Sequence, residues 1–178
     1  MRIAIYAGTF DPITRGHQDI IGTLINSRLF DRIVISIAKN PNKKSMFTEN
    51  ERQKLIKEIY QNSQEIVVDI LEDGKTVVEE YVNKYLKEGH SGCLIRGIRN
   101  TLDMEYEFAL CDVNNKIAGG FYLPTFFVKT NPKVSGLSST IIKEIFNLRP
   151  RNYEEILREM IHPIILEAMI NKQYDNME

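Results

Sequence analysis

The run Ile33-Val34-Ile35-Ser36-Ile37-Ala38 is apolar at odd and even positions alike, so a strand built from it must be covered on both faces. A parallel sheet held between two layers of helices meets that condition, and the rest of the chain repeats the plan. Ile3-Ala4-Ile5-Tyr6-Ala7 is another apolar run, closed by a glycine. Glu65–Leu71 carries Ile66, Val67, Val68 and Ile70; Cys93-Leu94-Ile95 is short; Phe126, Phe127 and Val128 mark a fifth strand. Helical periods lie between them. Ile20, Ile21, Leu24 and Ile25 share one face, as do Leu55, Ile56, Ile59 and Tyr60 behind the capping box Thr48-x-x-Glu51. Val77, Val78, Tyr81, Val82, Tyr85 and Leu86 form a helix ending near Gly89, and another runs from about Asp103 to Ile117. Ser138 or Ser139 caps a helix with Ile141, Ile142, Ile145 and Phe146, which Pro150 ends; Tyr153 to Gln173 reads as one or two amphipathic helices broken at Pro163. The expected fold is α/β: a doubly wound, Rossmann-like, five-stranded parallel sheet with helices on both faces and a C-terminal helical tail.

At 178 residues the chain suits a single domain over 1–178, with a core at 2–150 and tail helices at 151–173. A net charge of −1 leaves no global basic field for a nucleic acid. No apolar run approaches the ~20 residues that span a bilayer, and the first strand begins at once, so a cytoplasmic protein without signal peptide or membrane partner is expected. Cys93 and Cys111 lack metal-ligand spacing and read as reduced thiols. Gly74-Lys75-Thr76 imitates the end of a P-loop, but Asp69 stands where its first glycine belongs.

In doubly wound sheets ligands bind beyond the carboxyl ends of the strands, and four segments fall there. Gly8-Thr9-Phe10-Asp11-Pro12-Ile13-Thr14-Arg15-Gly16-His17 is a turn leading into a helix, with His17 near the helix start, where free N–H groups and the helix dipole favour phosphate. Residues 40–47 form a turn with Lys43 and Lys44, the latter assigned to solvent. Arg96-Gly97-Ile98-Arg99 places two arginines at a strand end, and Ser135-Gly136-Leu137-Ser138-Ser139-Thr140 is a hydroxyl-rich helix start. Positive charge, hydroxyls and helix N-termini together predict a polyphosphate site. There is no activated nucleophile, so the chemistry implied is positioning and charge stabilisation.

Taken together, GTFDPITRGH, NPNKKSMFTENER, IRGIRNTLDMEYE and SSTIIKEI resemble, in order and spacing, the bacterial phosphopantetheine adenylyltransferases of the HxGH-type nucleotidyltransferase superfamily. The resemblance spans about residues 2–150. It implies adenylyl transfer from ATP to 4′-phosphopantetheine by direct in-line displacement, giving dephospho-coenzyme A and pyrophosphate in the penultimate step of coenzyme A synthesis. His17 then contacts the α-phosphate, Thr9 and the Phe10 backbone lie between the substrates, and Lys43 holds the acceptor phosphate. Arg96 and Thr76 match pantetheine-side residues. Gly97, Ile98, Arg99, Glu107 and Val134 to Thr140, including Ser135, Gly136, Leu137, Ser138 and Ser139, match the ATP side. The resemblance further implies Mg²⁺ arriving with ATP and a homohexamer. Ala7 and Leu137 replace a usual proline and isoleucine, residues 72–75 carry an extra residue, residues 116–121 depart from the pattern, and the tail is longer. The alternatives are a cytidylyltransferase of an alcohol phosphate, disfavoured by Ile13-Thr14 and by the missing arginine before Ser138, and a silent nucleotide-binding protein, disfavoured by intact Thr9, His17, Lys43 and Arg99.

Overall fold

The computed structural model describes residues 1–40 and 44–175. Its five strands, β1 (Arg2–Gly8), β2 (Arg32–Ile37), β3 (Ile66–Ile70), β4 (Ser91–Ile98) and β5 (Thr125–Lys129), form one sheet in the order β3-β2-β1-β4-β5. All four pairings are parallel. Successive strands are joined through α1 (Arg15–Ser27), α2 (Glu49–Ile59), α3 (Val77–Lys84) and α4 (Thr101–Ile117); α5 (Ser139–Leu148), α6 (Tyr153–Met160) and α7 (Pro163–Asp175) follow β5. The fold is the doubly wound α/β sheet expected from the sequence.

The double apolarity of the strands has a direct counterpart. Ala4, Tyr6, Ile33, Ile35 and Ile37 pack with Ile20, Ile21 and Leu24 of α1, Ile56 of α2, Ile142 and Phe146 of α5, and Leu157, Ile165, Leu166 and Met169 of the tail. Ile3, Ile5, Val34 and Leu94 face the opposite way, onto Val78, Tyr81 and Val82 of α3 and onto Leu86, Ala118 and Leu123. The tail helices therefore complete one face of the sheet, and Pro163 opens α7 at the first helical position, where its missing N–H costs nothing.

One boundary differs in a way that matters for the site. The short strand expected at Cys93-Leu94-Ile95 continues to Ile98, because Arg96, Gly97 and Ile98 pair in register with Phe127, Val128 and Lys129. A Cβ at Gly97 would come within 2.3 Å of Ile20 Cδ1 on α1, so any larger residue there obliges the tip of the Ile20 side chain to move. The strand order reverses between β1 and β4, and the segments after β1, β4 and β5 open onto that crevice.

Candidate active site

The turn after β1 carries the most constrained geometry. Thr14 caps α1 in the extended conformation, and its backbone N–H donates to His17 Nδ1 at 3.0 Å, while the His17 N–H donates back to the Thr14 hydroxyl at 3.4 Å. This is a capping box with histidine in the place of the usual Glu or Gln. Because Nδ1 accepts from a backbone N–H, the ring proton resides on Nε2, the nitrogen left for the cavity. Burial pushes the His17 pKa down to about 4, and the Arg99 charge adds to the effect. At neutral pH the ring is therefore an uncharged Nε2–H donor. Phe10 supports it from below, edge-on at 5.2 Å between ring centres. Phe10 holds a positive φ of 47°, and its ring folds back onto Gly8, where a Cβ would stand 3.0 Å from it.

Asp11, 5% exposed, binds three elements together. It accepts from the N–H groups of Met46 and Phe47 at 2.9 Å each and from Lys143 Nζ of α5 at 3.0 Å. The hydroxyl of Ser139 donates to the Pro12 carbonyl at 2.9 Å. The turn, the end of the 40–47 segment and α5 are thus one assembly.

A cavity of about 310 Å³ lies above this assembly, lined by Thr9, His17, Arg96, Gly97, Arg99 and Glu107 and by Val134 and Leu137 to Thr140. A second cavity of about 490 Å³ is lined by Thr9, Lys39, Asn40, Thr76, Arg96 and Leu110. Ala7, Thr9 and Arg96 belong to both walls, so the two spaces adjoin at the end of β1.

The structure brings together most of the residues read from sequence. Thr9, His17, Arg96, Gly97, Arg99, Glu107, Val134, Leu137, Ser138, Ser139 and Thr140 share the first cavity, and Thr76 lies in the second as the N-cap of α3. Phe10 and Ile98 are core side chains, 2% and 7% exposed, and neither lines either cavity. Ser135 donates to the Pro132 carbonyl and, like Gly136, stands outside the cavity wall. Lys43 lies outside the described residues.

Two arginines behave differently from one another. Arg96 grips Glu107 through Nε and Nη2 at 2.5 and 2.7 Å, joining residues that the resemblance assigns to different substrates. Burial lowers the Arg96 pKa, but the Glu107 bonds and charge outweigh it and hold the guanidinium above its ordinary value. Arg99, between β4 and α4, bonds Asp103 in the first turn of α4 at 2.9 Å and lines the first cavity only. Sequence reasoning missed Asp11 as a junction, Arg52 beneath the turn, and Thr130, a residue of the first cavity's wall whose hydroxyl is buried without a partner among the described residues. Cys93 is buried, with its thiol pushed up to about 11 by burial, and Cys111 is half-buried.

Comparison with known proteins bears on this geometry. The cytidylyltransferase-like family model matches residues 5–145. The chain is 36% identical over 172 residues to the phosphopantetheine adenylyltransferase of Caldanaerobacter subterraneus subsp. tengcongensis, covering 97% of this chain and 98% of that protein. It is 41% identical over 145 residues to the phosphopantetheine adenylyltransferase of Carboxydothermus hydrogenoformans, covering 82% and 83%. In fold it resembles the solved nicotinic acid mononucleotide adenylyltransferase of Plasmodium falciparum, with a TM-score of 0.68 at 18% identity over 97% of this chain and 96% of that one.

Proposed function

We propose, from the premise that this chain belongs to the cytidylyltransferase-like family and within it to the phosphopantetheine adenylyltransferases, that its adjoining cavities are the donor and acceptor halves of one active site. The protein is an adenylyltransferase of coenzyme A biosynthesis. Its donor is ATP, its acceptor 4′-phosphopantetheine, and its products dephospho-coenzyme A and pyrophosphate. The observation that carries the assignment of the two halves is the shared wall: Thr9 and Arg96 face both spaces, and His17 faces the first.

In this reading an oxygen of the acceptor phosphate attacks the α-phosphorus of ATP, and the bond to the bridging oxygen breaks in line, releasing pyrophosphate. The attacking phosphate is already ionised, so no general base is required. The Nε2–H of neutral His17 donates to a non-bridging α-phosphate oxygen as charge builds there. Arg99 and the first-turn N–H groups of α5, capped by Ser138, hold the nucleotide phosphates; Ser135 and Gly136 shape the loop before them. Arg96, Thr76 and Lys43 attend the acceptor side, and Gly97, Ile98 and Glu107 the nucleotide side. Mg²⁺ neutralises the triphosphate when bound. Glu107 is already gripped by Arg96, so the cation would be carried mostly by phosphates and water.

The chain works in the cytoplasm as a homo-oligomer, a hexamer by resemblance. Supporting association, α4 exposes Met104, Tyr106, Phe108, Val113 and Ile117, with Tyr122 and Phe126 nearby in sequence. No helix among the described residues is long and apolar enough to cross a membrane. The deciding experiment is pyrophosphate release with Mg-ATP, with and without 4′-phosphopantetheine, and with CTP as control. Release that needs both ATP and 4′-phosphopantetheine, with dephospho-coenzyme A formed, supports the reading. Release with CTP instead moves the chain to cytidylyl transfer, and tight ATP binding without release marks it as silent.

A further inference from the structure

Arg52 is a cation in an unusual place: its side chain is 1% exposed, beneath the turn that joins the two cavities. Nη1 donates to the Thr9 carbonyl at 2.6 Å and to the Ala38 carbonyl at 3.3 Å, and Nε to the Thr48 carbonyl at 3.3 Å. Nη2 pairs with Glu49 at 2.7 Å. Three of its four partners are thus main-chain carbonyls, and two of these lie just past the ends of β1 and β2. A buried ion pair seldom adds net stability over an apolar side chain of similar volume. An apolar side chain, however, cannot hold three carbonyls in fixed directions.

The Thr9–Phe10 peptide is trans, so its N–H points opposite to its C=O. With the Thr9 carbonyl drawn to Arg52 on α2, the Phe10 N–H of the same peptide is turned away from α2. Phe10 also sits in the left-handed region, which a bulky side chain adopts only when its surroundings impose it. The short Arg52 bond and the Phe10 ring packed on Gly8 impose it from two sides.

We infer that Arg52 is a positioning residue for adenylyl transfer: by holding the Thr9 carbonyl it aims the Phe10 N–H at the junction of the cavities, where the transferring phosphate is bound. This rests on the active-site reading above. Arg52 touches no substrate, so its removal lowers turnover more than it weakens nucleotide binding.

The test measures kcat and both KM values for Arg52→Met and Arg52→Lys, well below their melting temperatures. Arg52→Met is expected to lose on the order of 10²-fold in kcat, as for one lost transition-state donor, with KM for ATP changed by less than about threefold. Arg52→Lys, which can reach one carbonyl, recovers part of the loss. Leu157→Ala in the tail core supplies a destabilised control expected to keep its kcat. A folded Arg52→Met within about twofold of the parent kcat overturns the inference, as does an equal loss in the control. Should Arg52→Met not fold, the parent protein decides. Its ¹⁵N-labelled Phe10 amide resonance must shift when 4′-phosphopantetheine is added, and a resonance that stays still overturns the inference. A parent protein that releases no pyrophosphate from this substrate pair sinks the functional reading instead.

Discussion

His17 has two separable tasks, and replacing it should divide them. Nδ1 accepts the Thr14 N–H at 3.0 Å and so serves the helix; Nε2–H is left for the cavity and, in the proposed mechanism, serves the reaction. His17→Ala removes both. Losing one preorganised donor to developing charge costs about 10²–10³ in kcat, or roughly 2.7–4 kcal/mol. Leaving the Thr14 N–H without its acceptor costs about 1–3 kcal/mol of stability, since Thr14 is only 1% exposed. In a domain of this size about 1 kcal/mol moves the melting temperature by roughly 2–4 °C, so a fall on the order of 2–12 °C is expected. His17→Gln restores a carbonyl oxygen at the third helical position, the usual partner in a capping box. It should therefore recover most of the lost melting temperature and little of the lost turnover. Calorimetry gives the first quantity, steady-state pyrophosphate release the second, and ATP titration the ground-state affinity. The reasoning fails if ATP affinity falls as far as kcat, because the contact is then made equally in the ground state. It also fails if Gln restores turnover, because the ring is then scaffold alone.

The depressed pKa of His17 gives a further test by NMR titration of its ring: the transition is expected near pH 4, and a midpoint near 6.5 would refute the buried, acceptor-paired ring. The sign for stability follows, since between about 6.5 and 4 the unfolded chain binds a proton that the folded one refuses; stability from this group is complete above 6.5 and falls with pH through that window. Arg99→Ala should raise KM for ATP with little effect on the acceptor, because Arg99 lines the first cavity only. Arg96→Ala should weaken the acceptor and lower the melting temperature as well, because it strands the largely buried Glu107 carboxylate; equal effects of both variants on both substrates would end that division. Thr130→Val removes a buried hydroxyl that has no protein partner among the described residues, so the melting temperature should hold or rise. A clear drop in melting temperature would show that the hydroxyl is satisfied in the free protein.

What could be read in the sequence, and what could not, follows from how local each signal is. The double apolarity of Ile33–Ala38 and the helical periods between strands depend on neighbours in the chain, and they led to the sheet and to the rim where ligands bind. The capping role of His17 was equally local: Thr14-x-x-His17 has the spacing of Thr48-x-x-Glu51 and Thr76-x-x-Glu79, but imidazole was read only as a ligand group. Arg52 carried a signal too, since it shares a helical face with Leu55, Ile56 and Ile59, where a charge has no reason to lie unless something buried needs it. Which buried group needs it could not be read, because the Thr9 carbonyl is 43 residues away and backbone atoms leave no mark in a sequence. The Asp11–Lys143 side-chain pair is hidden by its 132-residue separation, and the Arg96–Glu107 pair because its two residues lie on different elements, β4 and α4, whose packing no local period sets. Motif reasoning ranks residues by the chemistry of their side chains, and so it finds the groups that meet substrate. The groups that aim main-chain atoms at substrate announce themselves only as charges on the wrong face of a helix, as Arg52 does, and a sequence search for buried-face cations near phosphate-binding turns should recover others of this kind.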